Sequence, residues 1–248
     1  MDTAPLLTTR AALLAIALAV VSAIVIADPA DAVPLPIGQA TLRSPQVPVS
    51  GSALQTFLNL TGESIVVGQD QFIGELLSSS VSYNSTYTIQ FELARDTTGA
   101  VVGLYNGHDA TPTLMPVFPA NATTGWFAVA TFRSLPTRGI VNVFDGNATP
   151  VGSSTYLGAD RNAIGFYVSG PRGTFYSQDS RNPDGAAQSL FYRGTGLYAG
   201  TAWIAFEEQP LAGSDHDFND HVLFVETIPG SLVPTLHSSW GQLKQRFR

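Results

Sequence analysis

The sequence predicts an all-β fold, a jelly-roll-like β-sandwich, on three observations. Charged residues make up only 12% of the 248 residues while Gly (23) and Pro (16) are plentiful, a balance that suits short strands and many turns better than helices rich in Glu, Lys and Leu. Tyr87-Thr88-Ile89-Gln90-Phe91-Glu92-Leu93 alternates apolar and polar residues without a break, which gives a strand one buried and one wet face. About nine short apolar runs recur along the chain between clusters of Gly, Pro, Asn and Asp, the spacing of a sandwich.

In chain order, Arg10 is followed by an uncharged apolar run, Ala11 to Ala27, and then by Ala30-Asp31-Ala32, which fits a small-residue cleavage site. Residues 1–32 are therefore expected to be a signal helix; a retained membrane anchor is the competing expectation, since 17 residues is near the lower limit for a bilayer span. Residues 33–52 hold four prolines and no apolar periodicity, so they read as an extended linker. The folded domain is expected over 53–227. Leu54–Leu60 and Gln71–Leu77 read as short helical turns. Beyond Tyr87–Leu93, strands are expected at Ile65–Val67, Ala100–Tyr105, Trp126–Phe132, Ile140–Phe144, Ile164–Val168, Ser189–Tyr192, Trp203–Phe206 and Val222–Val225. Residues 228–248 are expected to be a flexible tail carrying the only basic patch, Lys244, Arg246 and Arg248, beside Trp240, Leu243 and Phe247.

Composition narrows the function. The formal charge is −7; loss of residues 1–32 removes three Asp and one Arg and leaves −5, which argues against nucleic acid as a partner. There is no cysteine, so neither disulfides nor thiolate metal sites are available. An exported domain without disulfides needs another source of rigidity, and millimolar extracellular Ca²⁺ saturates even weak sites.

Asp215-His216-Asp217-Phe218-Asn219-Asp220 packs four oxygen-bearing side chains into six residues. These are the hard ligands that Ca²⁺ prefers, and without a cation the carboxylates would repel one another. An EF-hand would place Asp215, Asp217, Asn219 and Glu226 at ligand positions, but it needs a sharp-turning Gly where Asp220 stands. The flanking runs are also of β type, and a strand after Asp220 would carry Glu226 away from the loop. Glu207 and Glu208 end the preceding apolar run, and 209–214 is short enough to return them to the loop. Asp179, Asn182 and Asp184 form a second acidic stretch, where ligation competes with the local backbone capping that Asp and Asn commonly provide in turns.

Gly173–Ser177, Asn182–Gly185, Trp203–Glu208 and Ser214–Asp220 together resemble the core of the bacterial family catalogued as domain of unknown function 4114. Phe91–Leu93 and Val102–Asn106 are similar to its first half, so the resemblance spans roughly residues 80–226. The resemblance implies an exported β-sandwich, a calcium-associated D-x-D-F-N-D loop and, in some members, a terminal adhesin module that binds a peptide or glycan. The chain departs from the family in having Glu208 where members often carry Asp, and in lacking a Pro-Glu-Pro anchor.

The expectation is a secreted or cell-surface, non-catalytic Ca²⁺ module that binds a glycan or peptide. Its candidate ligands are Asp215, Asp217, Asn219, Asp220, Glu207, Glu208, Asp179, Asn182 and Asp184, and the mature form has no stable membrane span. The first alternative is a structural surface or matrix protein in which calcium only stabilises the fold. A carbohydrate-active enzyme is the second, but adjacent Glu207 and Glu208 in a strand point to opposite faces and cannot flank one bond. No G-x-S-x-G elbow occurs. His216 and His221 among hard oxygen ligands are a weak zinc signal and read as solvent-facing.

Overall fold

The alternation that predicts the first strong strand extends over β3 (Thr86–Arg95), which lies in the interior of the larger of two sheets. The computed structural model describes residues 41–77, 86–95, 99–134 and 137–228. The expected signal helix at 1–32 and nearly all of the tail at 228–248 fall outside the described residues.

The larger sheet also holds β1 (Thr41–Leu42), β2 (Phe72–Ile73), β6 (Phe127–Ser134), β7 (Thr137–Phe144), β8 (Pro150–Leu157), β11 (Ser189–Arg193), β12 (Ala202–Phe206) and β13 (His221–Ile228). Its order is β1-β2-β11-β12-β13-β3-β6-β7-β8. The smaller sheet is formed by β4 (Val101–Asn106), β5 (Leu114–Phe118), β9 (Ile164–Gly170) and β10 (Gly173–Tyr176), in the order β10-β9-β4-β5. The pairings within both sheets are antiparallel. The chain crosses between the sheets after β3, β5, β8 and β10. The fold is an all-β sandwich with the repeated sheet-to-sheet crossing of a jelly-roll-like path.

Two cores explain the strand sequences. Between the sheets, Val102, Leu104, Phe166 and Val168 pack in one buried cluster with Leu93, Ala130, Phe132, Val141, Ile204, Leu223 and Val225, each large side chain contributing about 1.5–3 kcal/mol by leaving water. Close approach within the small sheet is set by Gly165, where a Cβ would lie 2.2 Å from the Tyr105 ring. On the outer face of β11–β13, Leu190, Tyr192, Trp203, Ala205, Val222 and Phe224 form a second cluster with Leu54 and Leu58 of α1 (Ala53–Thr61). Strands in this region are apolar on both faces because both faces are covered. The helix exists because Leu54, Phe57, Leu58 and Thr61 share one side, and it stops at Gly62, whose φ of 91° is cheap only for glycine.

The outer layer differs from expectation in places. Residues 41–50, expected as linker, are attached to the sandwich: Leu42 pairs with Phe72, Arg43 bonds Asp179 at 2.7 Å and Val47 N–H donates to Gln71 Oε1 at 2.7 Å. Ile65–Val67 forms no strand and leads into a turn over 67–69, where the Val66 carbonyl accepts from both Gln69 and Asp70 N–H. Gln71–Leu77 holds β2 and a bridge from Leu77 to Ile164 in place of a helical turn, with the buried Gln71 amide spent on Val47 and Val67 carbonyls. β5 contains Pro116, which the edge of a sheet tolerates because no ladder N–H is needed there. β8 lacks an apolar alternation because it is an edge strand exposed on both faces.

One buried carboxylate is purely architectural. Glu63 accepts from Trp203 Nε1 at 2.6 Å and from Thr195 N–H at 2.6 Å and Oγ1 at 2.5 Å, which fastens the turn after α1 to β12 and to the β11–β12 connection. Glu63→Ala is expected to cost about 3 kcal/mol, because it strands buried donors that bonded a charge. Urea unfolding checks this, and Glu63→Gln should recover part of the loss.

Among the described residues, no helix is long and apolar enough to cross a membrane.

Candidate metal centre

The β12–β13 hairpin builds the site. Phe206 pairs with His221 where the two strands meet, so residues 207–220 leave and re-enter the sheet at one place. Glu207 is fully buried directly after β12, its N–H bonded to the Gln188 carbonyl at 3.1 Å. Its Oε1 accepts the Phe218 N–H at 2.9 Å, while Oε2 is buried without a hydrogen-bond partner. A buried carboxylate oxygen left in that state is costly unless a proton or a cation satisfies it.

The loop is held in shape from several sides. His216 and Phe218 adopt left-handed φ of 62° and 53°, a strained choice for residues with a Cβ. The strain is offset by anchors: the Phe218 ring is buried in the outer core, and the His216 carbonyl accepts Ser50 N–H at 2.8 Å. The His216 ring donates through Nε2 to the Leu211 carbonyl at 2.7 Å, and its N–H bonds Ser214 Oγ at 3.1 Å.

Glu207, Asp215 and Asp217 each bring an oxygen within 4.8 Å of the others. Among the described residues this is the one group of three or more His, Cys, Asp or Glu side chains with such spacing, and it could hold a metal ion. At that separation each carboxylate pair repels by roughly 3 kcal/mol at an effective dielectric of about 20. The same crowding adds to burial in setting the protonation of the site. Burial, reinforced by the charges of Asp220, Asp215 and Asp217, pushes Glu207 up to about 7 despite the Phe218 N–H that favours its ionised form. Burial, with Glu208, Asp217 and Asp215 nearby, likewise pushes Asp220 up to about 6 against the pull of the Glu208 N–H.

The other expected ligands take defined places. Asn219 donates from its amide to Asp217 Oδ2 at 2.5 Å and from its N–H to Oδ1 at 3.2 Å, so it orients the Asp217 carboxylate. Asp220 Oδ2 accepts the Glu208 N–H at 2.8 Å, which staples the end of β12 to the start of β13 in addition to the Glu207–Phe218 bond. The Glu208 carboxylate turns to His221 Nε2 at 3.2 Å. Glu207 and Glu208 thus diverge, although both lie just past the end of β12. His221 does not face solvent: it is fully buried, and burial together with the Arg95 charge lowers it to about 4 although Glu208 opposes the change. Glu226 lies five residues along β13 from His221, opposite Gln90.

The second acidic stretch is not part of the three-carboxylate group. Asp179 forms the ion pair with Arg43 at 2.7 Å. The Asn182 amide is consumed by Tyr176 N–H and the Tyr176, Gln178 and Ala186 carbonyls. Asp184 is exposed at a φ of 56° in the second of two 3₁₀ turns. These residues shape turns, the role Asp and Asn commonly have there. Asp184→Ala is accordingly expected to leave metal affinity within about twofold of the parent, a change near the noise of surface substitutions, as measured by calorimetric titration.

Ser50 and Ser214 also support the site; Ser214 does so by a local bond to the N–H two residues on, whereas Ser50 carries no local sequence signal. Ser50 reaches the loop through its backbone N–H from a segment 166 residues earlier than His216, a contact that only the fold creates.

No protein-family model matches the chain, and neither a curated protein nor a solved structure matches it.

Proposed function

We propose that the chain is an exported calcium-binding β-sandwich that serves as a non-catalytic binding or adhesion module for a glycan or peptide. The observation that carries this proposal is the buried, unpartnered Glu207 Oε2 in a cluster with Asp215 and Asp217. The donors are all hard oxygens, since the His216 ring is directed to Leu211 and that of His221 to Glu208. Such a set suits Ca²⁺, which accepts irregular oxygen cages, better than Zn²⁺, which favours nitrogen and sulfur. The resemblance to the family of domain of unknown function 4114 supports the same ion and the exported setting.

The exposure of Asp215 supports a binding role over a purely structural one. An ion between a buried Glu207 and an exposed Asp215 keeps coordination positions toward solvent, where a ligand hydroxyl or carboxylate can replace water. An ion enclosed entirely by protein oxygens favours the alternative, a structural surface or matrix protein in which the ion only stabilises the fold. A glycan and peptide array probed with and without calcium tests the proposal. Calcium-dependent retention of one ligand class is expected, whereas no retention in either condition favours the structural role.

A further inference from the structure

Among the described residues the sandwich has four edge strands, and three carry a feature that discourages further pairing. β1 is two residues long, β10 is four, and β5 has Pro116 at its centre. β8 is different. It spans eight residues, Pro-Val-Gly-Ser-Ser-Thr-Tyr-Leu, with no charge and with proline only at the first position. Every residue but Tyr156 is exposed, including Val151 at 47% and Leu157 at 80%. Its ladder to β7 shifts register at Val151, so Gly152–Leu157 is a regular run with one side unpaired among the described residues.

We infer that β8 is a self-association edge, pairing antiparallel with β8 of a second copy about a two-fold axis at Ser154. The sequence is complementary to itself in that register. A two-fold axis perpendicular to the sheet keeps the core side opposite the core side, so paired residues must have numbers of the same parity. Centring on Ser154 places Gly152 against Tyr156′ and Ser153 against Thr155′, and brings Leu157′ to Val151 at the bulge. An aromatic side chain thereby covers a strand glycine, hydroxyls meet hydroxyls, and the two exposed apolar side chains shield each other twice. The Tyr156 hydroxyl is already fixed to the Pro116 carbonyl, so that ring is pre-set on the core side.

Two six-residue edges bury well under the ~1,000 Å² typical of a stable independent interface. Free copies should therefore associate weakly, with a Kd on the order of 100 µM, and strongly only where many copies are held close together.

Sedimentation velocity across that concentration range is expected to show monomer giving way to dimer. Ser154→Lys places two ammonium groups across the axis and should weaken association at least about tenfold with the melting temperature preserved. Since the chain has no cysteine, Ser154→Cys supplies an independent test: paired Cβ atoms lie about 4.5–5.5 Å apart, so oxidation should yield a covalent dimer faster than the control Leu197→Cys, whose site is 83% exposed. A monomer at every concentration, a dimer indifferent to Ser154→Lys, or equal cross-linking by the two cysteine variants would each overturn the assignment.

Discussion

Stripping Ca²⁺ with EDTA is expected to lower the melting temperature by about 5–10 °C. The figure follows from linkage: an ion present at about 100 times its Kd stabilises by about 2.7 kcal/mol, and for a chain of this size each kcal/mol moves the midpoint by about 2–4 °C. The loss begins at the β12–β13 connection. With the ion gone, Glu207, Asp215 and Asp217 face one another within 4.8 Å, and the loop relaxes most easily by releasing its two left-handed residues. Phe218 then leaves the outer cluster that also holds Leu54 and Leu58 of α1, so destabilisation spreads to the helix. Asp217→Ala removes one of three carboxylates and should weaken binding by on the order of 100-fold, since ligand charge sets affinity over decades. Its melting curve should then ignore the chelator. Differential scanning calorimetry distinguishes this from general damage, because Asp217→Ala in calcium should melt close to the parent in EDTA.

The second large effect is a stability that falls as pH rises in the metal-free protein. Folding raises Glu207 from an ordinary 4.5 to about 7. Below pH 4.5 the group is protonated in both states and nothing is lost. Between about 4.5 and 7 the folded state binds more protons than the unfolded state, so each step up in pH destabilises the fold. Above that window both forms are ionised, and a cost of roughly 3 kcal/mol remains, because each pH step of one across the window removes about 1.4 kcal/mol. Asp220, raised from 3.8 to about 6, slopes in the same direction over a lower range. Saturating Ca²⁺ should flatten the part due to these groups because the ion favours their charged forms. Glu226, raised to about 7 by burial on β13, should retain its own slope with or without calcium. Urea midpoints from pH 5 to 8 for the parent and Glu207→Gln check this, with a flatter metal-free profile expected in the variant. An identical slope would remove Glu207 as the source.

Much of the architecture was legible because it rests on local periodicity. The Tyr87–Leu93 alternation is the core of β3, and the apolar runs from Ile164, Ser189, Trp203 and Val222 are all strands whose limits shift by a residue or more. What escaped was set by position in the sheet. β8 is polar and exposed because it is an edge, and β5 keeps Pro116 for the same reason. Ile65–Val67 has strand-like composition, yet its backbone folds on Asp70, and the residues near 41–50 look like a linker although Gln71 and Asp179 hold them.

The site divides in the same way. The short return from β12 to β13 made the meeting of Glu207 with the 215–220 loop readable from spacing. The distinct tasks of Asp215 and Asp217 beside Asn219 and Asp220 were not readable, because they rest on which partners each side chain meets: Asn219 bonds Asp217, and Asp220 bonds the Glu208 N–H. Asp179, Asn182 and Asp184 have the composition of a cation loop and the hydrogen bonds of turns. Only the partner across the fold, Arg43, separates the two uses for Asp179.

Isothermal titration of Ca²⁺ into chelator-stripped protein at pH 7.5 tests the central claim most directly. A saturable isotherm with one ion per chain is predicted, retained in Asp184→Ala and lost in Asp217→Ala. Absence of binding heat at several temperatures, from protein shown to be folded and with no protection of its melting transition by calcium, would contradict it.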